Sequence, residues 1–61
     1  MDTVTFTIMS TANGYEVYTT HPKFANWQFK KVNKDAVPDL MLALTQKFTN
    51  LYKMSVLFEM G

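Results

Sequence analysis

The sequence predicts a small single α+β domain over residues 1–61, with three antiparallel strands, one amphipathic helix and a C-terminal strand (β-β-β-α-β). Three patterns support this prediction: apolar residues that alternate near the start, apolar residues at helical spacing in the second half, and a final alternating segment. A further alternative is ββαβ, in which a long aromatic loop replaces the third strand. With 61 residues, 48% of them hydrophobic, one domain is expected.

The first two strands are predicted to form a hairpin. Residues 3–9 alternate between apolar side chains and threonines, and residues 15–20 form the return strand. Asn13-Gly14 indicates a two-residue turn between them, because both residues tolerate a positive φ. That turn collects the apolar side chains of both strands on one face: Val4, Phe6, Ile8, Ala12, Tyr15 and Val17.

A third strand is predicted over residues 26–32, where Trp27 and Phe29 alternate with polar neighbours. Pro22 ends the preceding strand because proline cannot donate to a ladder. In this pattern Lys31 falls on the inner face, so we expect it at the sheet margin with its ammonium group in water.

The helix is predicted over residues 36–51. Asp35 is expected to be its N-cap, and Pro38 falls in the first turn, where the missing N–H costs nothing. The apolar residues recur at spacings of three and four along one stripe: Val37, Leu40, Met41, Leu44, Phe48 and Leu51. Leu42 lies off this stripe.

The final strand is predicted over residues 54–60, where apolar residues alternate again. The single helix returns the chain, so this strand should run parallel to the first. Placing it beside the first strand gives the sheet order 3-2-1-4, with the helix on one face. The alternative places it beside the third strand.

Composition excludes several classes of function. The chain has six lysines, no arginine and no cysteine, with a net charge of +1. Disulfides and cysteine zinc sites are therefore absent, and bidentate guanine contacts by arginine are not available. No signal-peptide pattern and no apolar run of membrane-spanning length occurs, so we expect a cytoplasmic protein without a membrane partner. Such a composition is typical of an accessory protein of a bacterium or a phage with an AT-rich genome.

Catalysis is not predicted. The single histidine, His21, has no partner at motif spacing, and the acidic residues are scattered. A small enzyme using His21 would need a carboxylate beside it in a pocket. The sequence therefore predicts no catalytic residue, no metal site and no cofactor.

Residues 23–34 carry four of the six lysines and three aromatic residues. Lysines interleaved with aromatic rings are typical of single-stranded nucleic-acid binding. The residues that would make those contacts are Lys23, Trp27, Lys30, Lys31 and Lys34. A domain this small needs large aromatic residues to build its core, which favours a core role for Trp27 and Phe29. The near-neutral net charge also argues against nucleic-acid binding, so this function is the alternative.

The leading hypothesis concerns the sheet face that the helix leaves uncovered. We expect four apolar residues there to form a partner-binding surface: Met9, Tyr18, Val32 and Leu57. A second route is strand addition at an exposed sheet edge. Because small domains gain stability by oligomerising, the sequence predicts a non-enzymatic interaction module, a homodimer or a binder of another protein.

Overall fold

A computed structural model describes residues 2–61, and its architecture agrees with the predicted fold class. Four strands and one helix follow in the predicted order: β1 (Thr3–Thr11), β2 (Gly14–Thr19), β3 (Gln28–Val32), α1 (Val37–Lys47) and β4 (Ser55–Met60). The sheet order is β3-β2-β1-β4, with β4 parallel to β1 and the other neighbours antiparallel. Both the β-β-β-α-β order and the placement of β4 beside β1 are confirmed.

The core lies between the sheet and α1, and Phe48 is at its centre. The Phe48 ring is fully buried and packs edge-on against Phe6, with 5.5 Å between the ring centroids. It also contacts Phe24 and Trp27, each at 4.9 Å. The other buried apolar residues are Val4, Ile8, Val17, Leu44 and Met54. Trp27 and Phe29 pack against this core, as the favoured interpretation of these residues predicted.

The β1–β2 turn differs from the prediction by one position. Thr11 pairs with Gly14, so the two-residue loop is Ala12-Asn13 and Gly14 is the first residue of β2. Gly14 has φ of 132°, and a Cβ there would lie 2.7 Å from the Val32 carbonyl oxygen. The glycine therefore serves the close approach of β3 to β2. The register shifts by two residues, which leaves the side chains of β1 and β2 on their predicted faces.

A β-bulge in β3 changes the face on which Val32 lies. Val17 pairs with Phe29 and Tyr15 pairs with Val32, so two residues of β3 stand opposite Glu16 alone. The extra residue moves Val32 to the face of Tyr15, which packs against the core. The expectation that Val32 lies on the open face was therefore wrong. Lys31 is exposed within the bulge, with φ of 59°, and does not point inward.

Both ends of the helix differ from the prediction. Asp35 lies inside a 3-10 turn, Lys34–Ala36, and does not cap α1, whose N-cap Ala36 makes no side-chain hydrogen bond. At the other end a π-helical turn, Phe48–Tyr52, follows α1. A π-helical turn contains one more residue than an α-helical turn, so it rotates the following side chains relative to the apolar stripe. Leu51 is consequently 64% exposed.

Candidate functional site

The open face of the sheet carries Met9, Tyr18 and Leu57, as predicted. Residues of β1 alternate, and Val4, Phe6 and Ile8 are buried beneath α1, so the odd-numbered residues of β1 face the other way. Tyr18 pairs with Thr7 and Leu57 pairs with Thr5, which places both on this same open face.

These three residues do not form one continuous patch. Met9 pairs with Glu16 and not with Tyr18, and the Thr5 neighbour of Leu57 is about 13 Å from Met9 along β1. Between them the Thr7 hydroxyl donates a hydrogen bond of 3.2 Å to the Glu59 carboxylate. The open face is therefore polar at its centre, and Leu57 belongs to the β4 edge.

The β4 edge offers unpaired backbone groups. The Ser55 amide donates to the Asp2 carbonyl and the Gly61 amide to the Ile8 carbonyl, so the odd-numbered residues of β4 bond to β1. Because backbone groups alternate in direction along a strand, Val56, Phe58 and Met60 direct their N–H and C=O groups away from the sheet. Leu57 is 58% exposed and Met60 is 72% exposed beside this row.

The opposite edge, β3, is protected. It is five residues long and bulged, and its third and fourth residues are Lys30 and Lys31, both exposed. Bulges and lysines on an edge strand are the features that natural sheets use against strand addition. Glu16 lines the same surface depression as both lysines, so a carboxylate competes there with any phosphate.

The predicted nucleic-acid residues are not assembled into one surface. Trp27 packs on Phe48, and the Lys47 ammonium lies 5.4 Å from the centroid of the Trp27 ring. That indole face is therefore already covered by a lysine. Lys23 lies in the 3-10 turn Pro22–Phe24, whereas Lys34 lies beside α1 at the far end of the molecule.

His21 contacts the 3-10 turn that follows it in the sequence. Its Nδ1 accepts a hydrogen bond of 3.2 Å from the Lys23 amide, and its ring packs on Phe24 at 5.1 Å. Within residues 2–61 no group of three or more metal-binding side chains occurs. The histidine thus stabilises the start of the Pro22–Phe24 turn.

Comparison with protein-family models, curated proteins and solved structures finds no match to this chain. In the described part of the chain, no helix is long and apolar enough to cross a membrane.

Sequence reasoning missed an apolar groove at one end of the molecule. It has a volume of about 320 Å³ and lies between the start of α1 and the ends of β1 and β4. Its lining residues are Ile8, Tyr15, Lys34, Val37, Pro38, Met41, Phe58, Glu59 and Met60. The sequence signal was present, because Met60 continues the alternation of β4 past the point where the helix covers the sheet.

Proposed function

We propose that this protein is a non-enzymatic interaction module that binds a second copy of itself through the free edge of β4. The single observation that carries the proposal is the row of outward backbone groups on β4, flanked by exposed Leu57 and Met60. In a soluble domain an unprotected edge of this length invites another strand.

The contrast with β3 supports the choice of edge. β3 carries a bulge and two lysines, whereas Ser55–Met60 contains no proline and no lysine and pairs with β1 in unbroken register. Only one charged residue, Glu59, occurs in β4, and its carboxylate accepts the hydrogen bond from Thr7. The β4 edge is therefore the one at which a second strand meets least resistance.

The pattern of side chains favours an antiparallel register with a two-fold axis at Leu57. In that register Leu57 faces Leu57 of the second copy, and Phe58 faces Val56. Val56 and Phe58 both direct their backbone groups outward, so they form hydrogen-bonded pairs. Glu59 then faces Ser55 of the copy, whereas an axis at Glu59 would place two carboxylates opposite each other, which is unfavourable.

A single introduced cysteine tests this register directly, because the chain contains no cysteine of its own. Residues facing each other at a non-hydrogen-bonded position have Cα atoms about 4.5 Å apart, which a disulfide can bridge. We expect Leu57→Cys to form a disulfide-linked dimer under mild oxidation, as measured on a non-reducing gel and by sedimentation.

Leu42→Cys is the matched control, because Leu42 is 59% exposed on α1 and Leu57 is 58% exposed. We expect this variant to stay largely monomeric on the gel over the same period. Equal rates of cross-linking in the two variants would contradict the proposal, as would a wild-type protein that sediments as a monomer at high micromolar concentration.

A further inference from the structure

The groove at the start of α1 has the composition of a small-molecule site. Its apolar walls include Ile8 in β1, Met41 in α1 and Phe58 in β4. Its volume of about 320 Å³ falls at the lower end of the 300–1,000 Å³ range typical of ligand pockets. Such an apolar concavity accommodates a short aliphatic chain better than a polar ligand.

Two charged residues border the groove, Lys34 and Glu59. Lys34 is the only cationic residue that lines it within the described chain. Glu59 also borders the groove, but its carboxylate is on the open face of the sheet, where it accepts the hydrogen bond from Thr7. Lys34 is therefore the charged residue that borders the groove on the helix side of the sheet.

We propose that this groove binds an amphipathic carboxylate, with the aliphatic chain against the apolar walls and the carboxylate beside the Lys34 ammonium. An ion pair fixes the orientation of the ligand, and burial of the chain supplies the affinity. The proposal does not depend on pairing at β4, because the groove is formed within one chain.

The test is a titration of ¹⁵N-labelled protein with sodium decanoate below its micellar concentration, followed by amide NMR shifts. We expect saturable shifts at Val37, Met41 and Phe58. Each buried methylene is worth about a fourfold gain in affinity, so octanoate, which is two methylenes shorter, should bind about 16-fold more weakly than decanoate. Decanol and decyltrimethylammonium should both bind more weakly than decanoate.

Two variants test whether the Lys34 ammonium binds the ligand carboxylate. Lys34→Gln should weaken decanoate binding about fivefold and leave decanol binding unchanged. Lys30→Gln is the matched control, because Lys30 is an exposed lysine on β3, away from the groove, and it should change neither affinity. Both lysines are exposed, so neither variant is expected to lose its fold.

Three results would overturn the proposal. The first is the absence of saturable shifts at millimolar decanoate. The second is equal affinity for the carboxylate, the alcohol and the cation, which would indicate an unselective apolar surface. The third is a set of shifts confined to the open face or to the outer edge of β4.

Discussion

The two edges of the sheet differ in backbone, in charge and in what lies beneath them. β3 is bulged and carries Lys30 and Lys31, whereas β4 is regular and carries Leu57 and Met60 beside outward backbone groups. On the helix side, aromatic rings fill the space near β3, while the space near the end of β4 opens into the groove.

Only one of the two sheet edges carries features that oppose the addition of another strand. A bulge and edge lysines reduce strand addition at a cost in regular pairing, and β3 has both. β4 has neither feature, although it is the last strand of the sheet on its side. Substitutions on the β3 side and on the β4 side should therefore differ in their effects on stability and self-association.

The largest expected effect comes from the aromatic cluster on the β3 side. Phe48→Ala removes a fully buried ring and should cost about 3–5 kcal/mol in the free energy of unfolding. A domain this small has about that much stability in total, so the variant should be largely unfolded by circular dichroism. Phe48→Leu should remain folded and show an intermediate loss in urea titration.

Met41→Ala is the counterpart on the β4 side, because Met41 is only half-buried and lines the open groove. We expect a loss of about 1–2 kcal/mol in the same urea titration. If Met41→Ala costs as much as Phe48→Ala, the two sides are equally well packed and the contrast fails.

The second prediction concerns the attachment of β3 to β2. Gly14→Ala places a Cβ against the Val32 carbonyl oxygen at a φ of 132°, so strain alone should cost about 1–3 kcal/mol. Hydrogen exchange should then report faster opening of β3. Gly61→Ala at the β4 end would bring a Cβ close to the Thr7 methyl group, which can move, and into ordinary contact with the Ile8 carbonyl oxygen, so its loss should stay below about 1 kcal/mol. Equal losses would contradict this account of Gly14.

The third prediction separates the two sets of backbone groups on β4. A synthetic chain with N-methylated Phe58 loses an outward donor, so its dimer should dissociate at least tenfold more readily, which is about 1.4 kcal/mol. Its thermal unfolding should change little when measured as a monomer. N-methylation of Leu57 removes a donor directed at β1 and should instead destabilise the fold. Unchanged dimerisation in the Phe58 derivative would exclude pairing at this edge.

The smallest effect is expected at the β3 bulge. Lys31 has φ of 59°, a conformation in which glycine is favoured, so Lys31→Gly should stabilise the monomer by about 0.5–1 kcal/mol. It should also increase self-association, because it removes an edge lysine. Lys53→Gly is the matched control at φ of 54°, and it should stabilise the fold without changing sedimentation. Increased association in both variants would show that Lys31 does not protect the edge.

The sequence predicted the parts of the fold that depend on periodicity. The alternation in β1, with Val4, Phe6 and Ile8 inward, was sufficient to assign both faces, and an error of two residues in register left them unchanged. Leu57 and Met9 were therefore placed on the open face correctly. Pairing at a sheet edge was one of two routes that the sequence left open, without naming the strand, and it stays a prediction.

The features that were missed insert one residue into a regular pattern. The bulge at Lys31 has no glycine to mark it, and it moved Val32 to the other face. The π-helical turn likewise rotated Leu51 away from the core, a shift that helical spacing does not reveal. The groove arises because α1 begins at Val37, after a 3-10 turn, and that geometry depends on packing between distant segments.

The parallel pairing of β1 with β4 has a consequence for folding kinetics. Thr7 bonds to Glu59 across 52 residues of sequence, whereas Thr11 and Gly14 are neighbours in the β1–β2 hairpin. Local hairpins form quickly, while contacts at large sequence separation must overcome loop-closure entropy. We therefore expect the β1–β2 hairpin to form early and the entry of β4 to limit the folding rate. Until β4 pairs with β1, β1 itself is the edge strand that is open to association with other chains.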